Sequence, residues 1–171
     1  GDRVMPDPIL VGRNAERLQA LAKAHGVARW TTDLDKALKD KKDILFFDAA
    51  TTQLRADLLK KAMKAGKHIY CEKPLANSAG EARRMTEAAE AAGVVTLVGF
   101  NYLKNPAQGF AHELIGRGDI GAINLFRGTF DQDFMSDPQI PFSWRQDRAI
   151  AGSGALGDMA SHTLSFSQYL V

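Results

Sequence analysis

The chain has 171 residues, of which 45% are hydrophobic and 25% charged, so it falls in the ordinary globular class and can bury one core. Its 22 basic and 20 acidic side chains are scattered, and without a basic face nucleic acid is a poor candidate partner. No apolar stretch approaches the roughly 20 residues that span a bilayer, and no signal-peptide pattern is evident, so we expect no membrane association. The single cysteine, Cys71, fits a reducing compartment, and we expect a cytoplasmic protein.

Short apolar runs alternate with helical stretches along most of the chain. Residues 9–12 predict a strand, after which Asn14 caps a helix that ends at Gly26. The same order recurs downstream. Further strands are predicted at residues 28–31, 44–48, 68–71 and 94–99, with helices capped by Thr32, ending before Gly66, spanning 78–92 and opened by Pro106.

This alternation predicts an α/β fold with a doubly wound, Rossmann-type parallel sheet. The segment Asp43-Ile44-Leu45-Phe46-Phe47 has a continuous apolar run after its first residue instead of an alternating pattern, as expected for a strand buried on both faces by right-handed crossovers. After Gly121 the rhythm changes, because residues 122–131 alternate like a longer antiparallel strand and a proline-bearing loop follows. We therefore divide the chain at this point. Residues 1–120 form a partial doubly wound domain, and residues 121–171 begin an α+β domain with a mainly antiparallel sheet.

One glycine motif is present in the wrong context. Residues 152–157 match G-x-G-x-x-G, but Trp144 to Arg148 precede them instead of a buried strand, and the required β-α-β unit does not follow. The strand at residues 9–12 leads into Gly12-Arg13-Asn14, which resembles the end of a second strand in such folds. A preceding strand and its glycine turn are expected to be absent from this sequence.

Glu72-Lys73-Pro74 follows the predicted strand at 68–71 directly, at the sheet edge where ligands bind in doubly wound folds. A lysine held there could hydrogen-bond a substrate hydroxyl or carbonyl and stabilise its developing negative charge, with proline fixing the backbone. The alternative is a surface lysine before a turn.

Asp158 and His162 are four residues apart at the start of a predicted helix and share one face. A carboxylate there can orient the imidazole, which suits the histidine to accept an alcohol proton as hydride leaves. The alternative is an aspartate favoured by the helix N-terminus beside an unrelated histidine.

Four motifs in order resemble the Gfo/Idh/MocA family, which includes glucose-fructose oxidoreductase and inositol dehydrogenase. They are Ala65-Gly66-Lys67-His68-Ile69-Tyr70-Cys71-Glu72-Lys73-Pro74, then Gly99-Phe100-Asn101-Tyr102 with Pro106, then Trp144-Arg145, then Gly154-Ala155-Leu156-Gly157-Asp158-Met159-Ala160-Ser161-His162. The resemblance implies a partial dinucleotide-binding domain followed by the start of a substrate and dimerisation domain. It also implies a full-length protein that is a homo-oligomer and transfers hydride between a nicotinamide cofactor and a polyol or sugar.

The resemblance also assigns roles to individual residues. Lys73 would bind the reacting hydroxyl, His162 would act as base, and Asp158 would support His162, so that all three contact substrate together with Tyr102. The cofactor neighbours would be Thr51, Glu72, Lys73, Pro74, Asn101, Trp144 and Arg145.

The chain departs from the family pattern at several points. Thr51-Thr52-Gln53-Leu54-Arg55 stands where many members have Thr-Pro-Asn and a following histidine, and Leu103-Lys104 stands where many have an arginine. Arg13 occupies the usual place of a ribose-binding aspartate, and a guanidinium there could pair with a 2′-phosphate. This position slightly favours NADP over NAD as the cofactor. The alternative is a solvent-facing arginine before the Asn14 cap.

Two further hypotheses about function stay open at this point. The same fold serves some relatives as a non-catalytic nucleotide-sensing regulator, although the Lys73, Asp158 and His162 set argues against it here. The segment could also be a truncated product without activity of its own. No metal is expected, since the remaining histidines lack a partner at ligand spacing.

Overall fold

The computed structural model describes residues 7–171, in which short strands and helices alternate as far as residue 98. The strands are β1 (Ile9–Val11), β2 (Arg29–Thr31), β3 (Leu45–Asp48), β4 (His68–Cys71) and β5 (Thr96–Val98). The helices are α1 (Ala15–Ala24), α2 (Leu34–Leu38), α3 (Thr52–Lys64), α4 (Ala79–Ala92), α5 (Pro106–Gly116), α6 (Arg148–Ala151) and α7 (Ser161–Leu170), with a 3-10 turn at Asn101–Lys104 and a π-helical turn at Leu156–Ala160. The predicted Rossmann-type α/β class is confirmed.

The helix ends follow the local chemistry that the sequence predicts. The Asn14 side chain accepts the Arg17 amide at 2.8 Å, and Gly93 closes α4 with a φ of 63°. One boundary differs from the prediction. Asp33, instead of Thr32, caps α2, because its carboxylate accepts the Lys36 amide at 2.9 Å.

The strands form two separate parallel sheets. β1 pairs with β2, whereas β3, β4 and β5 form the second sheet with β4 in the middle. Within residues 7–171, no strand bridges β1 and β3. A strand at that place would complete a single doubly wound sheet.

Helices from the described part of the chain cover one face of the second sheet. On that face a core forms between the sheet and helices α3 and α4, built from Leu59, Ile69, Cys71, Met85 and their neighbours. On the other face Leu45 and Phe47 are more than half exposed. The prediction that this strand is buried on both faces is therefore wrong for this chain, because no helix among the described residues packs over Leu45 and Phe47.

The predicted antiparallel strand at residues 122–131 is also wrong. This segment has no strand conformation in the structure, and none of the described residues beyond Val98 forms a strand with which it could pair. Alternating side chains suit a strand, but only a neighbouring strand satisfies its backbone groups. No helix between residues 7 and 171 combines the length and the apolar character that crossing a bilayer requires.

Because Leu59 is buried and Leu45 is exposed, we expect replacement by alanine to change the free energy of unfolding of the 171-residue chain by different amounts at the two positions. Leu59→Ala removes a side chain that is 3% exposed and should lower the free energy of unfolding by about 2–5 kcal/mol. Leu45→Ala, at a side chain 57% exposed, should cost less than about 1 kcal/mol. Urea denaturation measures both. Equal costs would show that the Leu45 face is covered in solution.

Candidate active site

The site lies at the carboxyl ends of β3, β4 and β5. Because these strands are parallel, the segments that follow them meet at one edge of the sheet. Thr51 follows β3 and is the residue before helix α3, Lys73 follows β4, and Asn101 begins the 3-10 turn after β5. Three of the segments that the sequence singles out are thus collected at one place.

Lys73 and Asp158 form an ion pair across 85 residues of chain. The Lys73 Nζ donates to Asp158 Oδ1 at 2.6 Å and to the Asp158 main-chain oxygen at 2.7 Å. The lysine side chain is 16% exposed and the aspartate side chain 23%, so the pair is shielded from bulk water. An ammonium group has three N–H donors, and no residue among 7–171 accepts the third.

Arg145 holds the second oxygen of the same carboxylate. Its Nε donates to Asp158 Oδ2 at 3.0 Å, while its guanidinium lies 4.5 Å from the centre of the Trp144 ring. Burial raises the pKa of Asp158, but hydrogen bonds and charges from Lys73 and Arg145 outweigh it, and the pKa of Asp158 is lowered. Asp158 is therefore ionised at neutral pH.

His162, at the start of α7, is buried among aromatic rings. It is 4% exposed, and its ring centroid lies 4.6 Å from that of Tyr102, 5.3 Å from Phe130 and 6.0 Å from Phe100. Among the residues that the structure describes, its Nδ1 has no hydrogen-bond partner.

The sequence led us to expect that Asp158 orients His162, but in the described part of the chain the two side chains form no hydrogen bond. Both carboxylate oxygens of Asp158 accept from Lys73 or Arg145 instead. The prediction assumed an α-helix, in which residues four apart share a face. Asp158 lies in a π-helical turn, whose wider winding changes that relation.

The surroundings of His162 lower its pKa. Burial is the largest cause, and the positive charge of Lys73 acts in the same direction, against the opposing charges of Asp158 and Glu72. A pKa below the ordinary 6.5 leaves the imidazole neutral near pH 7. A neutral imidazole with an unpartnered nitrogen is suited to accept a proton.

Two of the other residues predicted to contact the cofactor lie beside Lys73, and a third lies in the other sheet. Glu72 and Pro74 flank Lys73 in the turn after β4, and the Glu72 amide donates to the Asp48 main-chain oxygen at 3.0 Å. Arg13 is exposed in the turn after β1, in the other sheet, and makes no hydrogen bond or ion pair with the described residues. The structure assigns it no partner that would support a special role.

Sequence reasoning missed two parts of this region. Phe130 was seen only as part of a predicted strand, and nothing in the local pattern marked it as a neighbour of His162. The other is a buried ion pair between Asp48 and Arg55, with the Arg55 Nε 2.6 Å from Asp48 Oδ2. One signal could have revealed it. A positive charge in the first turn of a helix interacts unfavourably with the helix dipole. An arginine there therefore indicates a nearby acidic side chain that compensates its charge.

Comparison with known proteins places the chain in a family. Residues 9–100 match the model of the Gfo/Idh/MocA oxidoreductase family with its NAD-binding Rossmann fold, and residues 110–171 match a GFO/IDH/MocA C-terminal domain. The chain belongs to the Gfo/Idh/MocA oxidoreductase family. The predicted resemblance is confirmed.

Relatives in the Gfo/Idh/MocA family include sugar dehydrogenases. The chain is 42% identical over 164 residues to levoglucosan dehydrogenase from Pseudarthrobacter phenanthrenivorans and 38% identical over 167 residues to D-xylose dehydrogenase from Paenarthrobacter nicotinovorans. It aligns over 95% of its own length but spans only 42% of each relative. A structure of levoglucosan dehydrogenase with NADH and levoglucosan superposes with a TM-score of 0.91 at 39% identity, over 96% of this chain and 45% of that one.

The packing around His162 predicts its titration. We expect NMR to give a His162 pKa below 6.5, rising toward that value in Phe130→Ala, which opens the ring to water. Below pH 6.5 the unfolded chain binds more protons at this histidine than the folded, unaltered protein does. His162 therefore contributes stability that is complete above pH 6.5 and is lost as the pH falls through the folded-state pKa.

Phe110→Ala is the matched control, because Phe110 is 57% exposed and belongs to α5, outside the ring cluster around His162. It should leave the His162 titration unchanged. A His162 pKa at or above 6.5 in the unaltered protein would contradict the described environment.

Proposed function

We propose that the full-length protein containing this chain is an NAD-dependent dehydrogenase that acts on a hydroxyl-bearing carbon of a sugar, a cyclitol or a related polyol. The observation that carries the proposal is the arrangement of Lys73, Asp158 and the buried His162 at the carboxyl edge of the sheet. Relatives that are levoglucosan, D-xylose and scyllo-inositol dehydrogenases support the substrate class.

In this proposal each group has one task. Lys73 donates its third N–H to the reacting oxygen and stabilises the negative charge that develops there. His162 accepts the hydroxyl proton while the carbon loses hydride and becomes a carbonyl. Asp158 holds Lys73 in place, and Tyr102 borders the substrate. When bound, the nicotinamide ring supplies the hydride acceptor.

The residues fit a nicotinamide nucleotide at this edge. An unpartnered nitrogen on His162 and an unused donor on Lys73 lie beside the ends of the parallel strands, where doubly wound folds bind such ligands. The groups proposed to hold it are Thr51, Glu72, Lys73, Pro74, Asn101, Trp144 and Arg145. In this scheme residues 1–120 belong to the dinucleotide-binding domain and residues 121–171 begin the substrate domain.

NAD is the proposed cofactor, and the preference for NADP suggested by the sequence is not supported. Structures of levoglucosan dehydrogenase contain NADH, and the family model describes an NAD-binding fold. Arg13 is exposed and is proposed to face solvent, as the second interpretation of its position held.

Hydride transfer can be followed directly with polyols deuterated at the reacting carbon. The full-length protein should move deuterium into NADH, detected by mass spectrometry, and His162→Asn should lower the rate by roughly 100- to 10,000-fold because the proton acceptor is lost. Nucleotide binding without any transfer, over a panel of sugars and cyclitols, would contradict the proposal and favour the nucleotide-sensing regulator.

Cofactor choice is tested by calorimetry with NAD and NADP on the full-length protein and on Arg13→Ala. We expect tighter binding of NAD, and an Arg13→Ala variant whose affinities for both nucleotides change less than about threefold, since an exposed side chain without partners contributes little. Tighter binding of NADP that is lost in Arg13→Ala would instead assign Arg13 to the 2′-phosphate.

A further inference from the structure

Arg55 carries a positive charge at a helix position where a positive charge is normally unfavourable. It lies in the first turn of α3, where the helix dipole disfavours a positive charge, and that turn contains no acidic residue. It is also only 2% exposed. A buried charge at an unfavourable helix end persists only when strong compensating contacts hold it.

Those contacts connect three segments of backbone. The Arg55 Nε donates to Asp48 Oδ2 at 2.6 Å, Nη2 donates to the Ala50 main-chain oxygen at 3.0 Å, and Nη1 donates to the Pro74 main-chain oxygen. Asp48 is itself 2% exposed and ends strand β3. Arg55 therefore links the end of β3 and the loop before α3 to the turn after β4.

That turn carries Lys73. Pro74, whose carbonyl Arg55 holds, directly follows Lys73, and on the other side the Glu72 amide donates to the Asp48 main-chain oxygen at 3.0 Å. The backbone before Lys73 is thus held by a main-chain bond between β3 and β4, and the backbone after it is held by Arg55, which is paired with Asp48. The side chain of Lys73 then reaches Asp158 at 2.6 Å.

We propose that Arg55, through its buried pair with Asp48, is a positioning residue that sets the direction of Lys73 toward Asp158. The proposal rests on the function proposed above and adds a residue to it. Arg55 acts through backbone and makes no contact with the reacting groups. The planar fork of a guanidinium can serve three acceptors at fixed angles, which a lysine at the same position cannot.

The test uses the full-length protein and two variants. Arg55→Lys keeps the charge opposite Asp48 but loses the fork. Asp48→Leu combined with Arg55→Met removes both charges together, because a buried pair replaced by apolar side chains is usually tolerated whereas a single unpaired charge is not. Arg83→Lys, on an exposed turn of α4, is the matched control.

The readout is kcat per binding-competent site, with the number of sites counted by titration with NADH, together with the melting temperature. A merely structural role would lower the number of sites and the melting temperature but leave the turnover of each site unchanged. A positioning role lowers the turnover of each site. We expect a loss of roughly 10- to 100-fold in both Arg55 variants, since small misplacements of a reacting group have effects of that size.

Unchanged turnover per site in the two variants would overturn the proposal. If the unaltered protein transfers no hydride, the proposed function fails, and a crystal structure of Arg55→Lys then decides the inference by itself. In that structure we expect the Lys73 ammonium to lie beyond hydrogen-bond distance of Asp158. A retained pair would show that Arg55 does not direct Lys73.

Discussion

The ion pair between Lys73 and Asp158 is the constraint on which the rest of the site depends. It ties the turn after β4 to a π-helical turn 85 residues later, and through that turn it places His162 at the same edge of the sheet. The charge of Lys73 helps to lower the pKa of His162, while the carboxylate of Asp158 is occupied on its other side by Arg145. One pair thus fixes the geometry of the site, and its lysine helps to keep His162 unprotonated.

The two charged pairs of this region have different physical roles. A buried pair such as that of Asp48 and Arg55 gains Coulomb energy but loses hydration, so its net stabilisation is small and its effect is on geometry. The pair of Lys73 and Asp158 is less deeply buried, and one N–H of Lys73 without an acceptor among the described residues is available for a ligand. The first holds the backbone that follows Lys73, through the Pro74 main-chain oxygen, and the second directs the side chain of Lys73 itself.

Sequence reasoning reached the fold, and it singled out Lys73, Asp158 and His162, which the structure brings to one edge of the sheet, because both depend on local signals. Caps, glycines and apolar runs define strand and helix, and Lys73 stands out because it follows a strand directly. What it could not reach depends on long-range packing. The exposure of Leu45, the absence of a strand at 122–131, and the approach of Phe130 to His162 are decided by which elements lie opposite them. The π-helical winding at Asp158, in place of an α-helical turn, likewise has no recognisable signal in the local sequence.

A double-mutant cycle on the full-length protein tests the central claim most directly. Lys73→Met, Asp158→Asn and the combination of both are compared by the single-turnover rate of hydride transfer. If the pair acts as one unit, the double variant loses little more than the more damaged single variant, because either change already destroys the arrangement. Losses that multiply would show that Lys73 and Asp158 act independently, and would contradict the account.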